Sequence, residues 1–107
     1  MSNIVVIGEP DSVLPFMGLG LETCPITKPG DATKQLKTIL KSGLAKVIFI
    51  TEGFYEETHI LVDDLKKRSF FPSVIYIPGN RGSRGLGLNK IRKVIERAVG
   101  VDLLFKE

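Results

Sequence analysis

The chain has 107 residues, 43% of them apolar and 25% charged, with a net charge of +3. That length suits one compact domain with a core of its own, and so small a net charge gives a weak field that favours no class of charged partner. The single cysteine, Cys24, excludes an internal disulfide and a cysteine-based zinc site, and no apolar run approaches the ~18 residues of a membrane span. Met1-Ser2-Asn3 leads straight into an apolar run with no cleavable signal between, so a cytoplasmic location is expected, with membrane contact only through a partner.

Asn3-Ile4-Val5-Val6-Ile7-Gly8 is continuously apolar, the mark of a strand buried on both faces. Asp11 is placed to cap a turn beginning at Ser12, and Pro15, Gly18 and Gly20 keep that helix brief. Thr23-Cys24-Pro25-Ile26 reads as a short strand; a proline lacks a ladder donor, so it belongs at a sheet edge. Asp31 is placed to cap the second helix. Ala32, Leu36, Ile39 and Leu40 share one face of it, Lys34, Lys37 and Lys41 line the other, and Gly43 offers a left-handed stop. Lys46 to Thr51 is a second fully buried strand. The third helix starts after Thr51 or Glu52, turns Ile60, Leu61 and Leu65 inward, and ends before Pro72. Ser73 to Ile77 is the last strand.

Strand and helix thus alternate four times, with crossovers long enough for parallel pairing. Right-handed crossovers with the proline strand at one edge give the order 2-1-3-4. The expected fold is a single Rossmann-like or receiver-like α/β domain over residues 1–107. Residues 1–78 form the sheet core, a four-stranded parallel sheet flanked by helices. Residues 79–107 hold a glycine-rich loop, a basic amphipathic helix and an apolar tail.

Open parallel sheets take ligands at the carboxyl rim of their strands, near the switch in strand order. That rim carries Gly8, Glu9, Asp11, Ser12, Thr51, Glu52 and the loop from Pro78 to Gly87. Glu9, Asp11 and Glu52 could gather around magnesium, with Arg81 or Arg84 facing a phosphate. Acidic residues are expected at helix starts in any case, and that plainer account is preferred. A receiver domain needs an aspartate where Thr51 stands. The loop lacks the Walker pattern, and Gly82-x-x-Gly85-x-Gly87 is not the dinucleotide spacing. Glycines admit an anion to a helix start, but equally a tight turn or a close protein contact. An anion- or phosphate-binding domain using Gly82–Gly87 therefore stands as the alternative. His59 has no histidine partner for a metal, and Cys24 reads as a small buried hydrophobe. No nucleophile–base pair is visible, so no catalytic, metal or cofactor residue is assigned.

The final segment reads as a docking device. Leu88, Ile91, Ile95 and Ala98 form a stripe widened by Val94 and Val99, and then Val101, Leu103, Leu104 and Phe105 follow with no later element to cover them. Packing on the chain's own sheet explains most of the stripe; it does not explain the tail. Arg81, Arg84, Lys90, Arg92, Lys93 and Arg97 concentrate here against Glu96 alone. No aromatic residue is interleaved for base stacking, so an acidic protein surface fits at least as well as nucleic acid.

Ile77-Pro78-Gly79, Gly82-Ser83-x-Gly85-x-Gly87, Ile91 and the run from Val94 to Leu104 closely resemble the F subunit of the archaeal- and bacterial-type V/A-ATPases. Ile7-Gly8-Glu9-x-Asp11-Ser12-Val13-x-x-Phe16 with Gly20 resembles that family's opening, and Val47 to Glu52 its third strand. The resemblance implies a non-catalytic component of the rotor, belonging to an ATP synthase but without an active site or cofactor of its own. Its implied partners are the coiled-coil D subunit of the central stalk and, in the assembled complex, the catalytic A/B head. It would help couple ATP hydrolysis or synthesis to proton or sodium transport, with a part in regulating ATPase activity, at the membrane periphery. The partner-binding residues expected are Leu88, Ile91, Arg92, Ile95, Val99, Val101, Leu103, Leu104 and Phe105, with no nucleic acid involved.

Overall fold

The computed structural model describes residues 3–69 and 72–79. In chain order they form β1 (Ile4–Gly8), α1 (Pro10–Met17), β2 (Glu22–Pro25), α2 (Asp31–Ser42), β3 (Val47–Thr51), a 3-10 turn (Glu52–Phe54), α3 (Tyr55–Arg68) and β4 (Ser73–Ile77). The four strands make one sheet in the order β2-β1-β3-β4, with every pairing parallel. The expected α/β class and strand order are therefore what the chain adopts. Pro25 sits on the edge strand, where its missing N–H leaves no gap in a ladder.

All five residues of β1 and all five of β3 are buried, because both strands are central and covered on both faces. Alternation divides their side chains between two cores. Val5, Ile7, Ile48, Ile50 and Val74 face α2 and α3, which contribute Ala32, Leu36, Ile39 and Val62. Ile4, Val6, Val47, Phe49 and Ile77 face the other way, where α1 contributes Val13 and Phe16.

Helix ends depart from the expected local caps. α1 begins at Pro10, with Glu9 in the capping position and no side-chain cap bond, so Asp11 lies in the first turn. A proline at the first helical position already has the right φ and needs no partner for an N–H. Asp31 likewise lies within α2, whose cap is Gly30 at φ 85°. The acceptor at this end comes from α3. The Glu57 carboxylate takes the N–H of Gly30 at 3.2 Å and that of Thr33 at 2.9 Å, and the Thr33 hydroxyl donates to the same oxygen at 3.2 Å. A negative group there also meets the positive end of the helix dipole. At the far end Gly43 adopts φ 68°, the left-handed stop its position predicted.

Ile60 corrects the expected inward face of α3: it is 74% exposed. Thr58, Leu61, Val62 and Leu65 make the inward stripe. At about 100° per residue, Ile60 lies about 200° round the helix from Thr58 and Val62, off that stripe.

Candidate functional site

The carboxyl rim between β1 and β3 is the place where strand order reverses, and therefore where an open sheet of this kind would take a ligand. β1 delivers Gly8 and then Glu9, and β3 delivers Thr51. Thr51 is fully buried and its hydroxyl donates to Glu9 Oε1 at 2.8 Å. Neighbouring backbone closes on the pair. A Cβ on Gly8 would lie 2.6 Å from Thr51 Cγ2, and a Cβ on Gly53 would run into Glu9 Oε2. A Cβ on Gly79, just past β4, would come within ordinary contact of Ser12 Oγ and Glu9 Oε1. Among the described residues, the rim therefore holds the chain's own carboxylate, fixed by a hydroxyl. A phosphate brought to the same place would meet a negative charge.

The three acidic residues weighed as a magnesium cluster do not act together. Glu9 is taken up by Thr51, Asp11 is exposed on the first turn of α1, and Glu52 is exposed at the start of the 3-10 turn. Among the described residues no three His, Cys, Asp or Glu side chains are grouped to hold a metal ion. Thr51 stands where a receiver would carry its aspartate.

His59 lies on α3 with its ring stacked on Tyr55, centroids 5.0 Å apart and planes 8° apart, and with Nδ1 3.7 Å from Asp63. Tyr55 in turn meets Tyr76 edge-on, and the Tyr76 hydroxyl is 2.9 Å from that of Thr58. Burial pushes the Tyr76 hydroxyl pKa up, against the lowering effect of its hydrogen bond with Thr58. Cys24 is half-buried against the α2–α3 core, and burial, then the charge of Glu22, pushes its thiol pKa up. A protonated thiol is a poor nucleophile.

The residues expected to bind a partner, Leu88 through Phe105, lie outside the described residues, as does the Gly82–Gly87 loop. Of the expected second part, residues 79–107, all but Gly79 lies outside the described residues. Among the described residues no helix is long and apolar enough to cross a membrane.

Sequence inspection missed the Glu57 cap and the Glu9–Thr51 bond. Their partners stand 24 and 42 residues apart, so no local spacing signals them.

Residues 4–95 match the family described as ATP synthase (F/14-kDa) subunit. The chain is 36% identical over 102 residues to the V-type ATP synthase F subunit of Clostridium perfringens, covering 95% of each chain. It is 34% identical over 106 residues to the V-type ATP synthase F subunit of Fusobacterium nucleatum, covering 97% of each. Similarity reaches the archaea: the A-type ATP synthase F subunit of Methanothermobacter thermautotrophicus is 27% identical over 104 residues, with 96% of this chain and 97% of that one covered.

Proposed function

The chain belongs to the ATP synthase (F/14-kDa) subunit family, and from that premise we propose that it is a non-catalytic central-stalk component of a V/A-type rotary ATPase. It binds the coiled-coil D subunit, turns with it inside the catalytic A/B head, and helps couple ATP hydrolysis or synthesis to proton or sodium transport. It resides in the cytoplasm, peripheral to the membrane through the complex, and bears on the regulation of ATPase activity. The observation that carries this reading is a family match running through every described strand and helix and into the segment beyond Gly79.

In this reading the carboxyl-terminal segment is the docking element. Leu88, Ile91, Ile95, Val99, Val101, Leu103, Leu104 and Phe105 supply apolar area, worth ~25 cal/mol per Å² buried before ordering costs. Arg92 steers and orients, an effect that salt weakens.

The test is a chain ending at Gly100, compared with the full chain for thermal stability and for affinity to the coiled-coil D subunit. Docking by the tail leaves the free domain's melting temperature nearly unchanged and weakens binding at least about tenfold, since a few buried anchors carry most of such an affinity. Unchanged affinity would move the interface elsewhere. A drop of several degrees in melting temperature would instead mean that the tail covers the chain's own sheet.

A further inference from the structure

We draw no further inference here: the strongest candidate, the exposed apolar patch that Leu14, Met17 and Leu19 form on the outer side of α1 and the turn after it, carries no proposal because nothing among the described residues shows what covers it.

Discussion

α1 and α2 are both helices laid on the same sheet, yet they are finished in opposite ways. α2 has a buried stripe of Ala32, Leu36 and Ile39, a lysine-bearing solvent face, a carboxylate cap from α3 and a left-handed glycine stop. α1 has no side-chain cap, a proline in its middle, a right-handed glycine at its end and leucine and methionine facing out. α2 is complete in water. α1 is complete only on its inner side. Among the described residues, the two helices thus differ in how their outward faces are finished, lysines on α2 and exposed apolar side chains on α1.

The comparison breaks most easily at its two leucines. Leu36→Ala removes a fully buried side chain and should cost about 2–5 kcal/mol in denaturant unfolding. Leu14→Ala, the same change on the outer face of α1, should stay within about 0.5 kcal/mol of wild type. Similar losses at the two positions would mean that α1's outer face already packs against this chain.

Glu57→Ala sharpens the contrast between the helix starts. It strips acceptors from Gly30 and Thr33, and the loss should be about 1–2 kcal/mol, with faster amide exchange at both N–H groups. If exchange at Thr33 is unaltered, water or another side chain already serves as the cap.

The helix ends give the smallest effect. Gly43→Ala forces a Cβ into a left-handed conformation with open space around it, so its cost is conformational alone, about 1 kcal/mol. Gly18→Ala, in a right-handed conformation, should be neutral or slightly stabilising in the free domain. Equal melting temperatures for the two variants would remove the distinction.

Much of the fold was open to inspection of the sequence. Ile4 to Ile7 and Val47 to Ile50 are too uniformly apolar to be half-exposed, which places both strands in the middle of a sheet. Pro25 dictates an edge and Gly43 a stop, because each restricts its own backbone whatever surrounds it. The family resemblance was equally a property of the chain, carried by motifs from Ile7 to Leu104.

Tertiary structure alone decided which residues share a helix end or a crevice. Local propensity allowed Asp31 to cap α2, but a carboxylate from α3 does so, since packing the two helices side by side brings Glu57 to the orphan N–H groups. Apolar character alone turned Ile60 inward, but packing on the sheet puts Leu61, Val62 and Leu65 there and leaves Ile60 exposed. At the rim, only the parallel pairing of β1 with β3 brings Glu9 onto Thr51. Backbone preferences and burial patterns act over a few residues and are written along the chain; hydrogen bonds between side chains 24 or 42 residues apart exist only once the sheet has put them together.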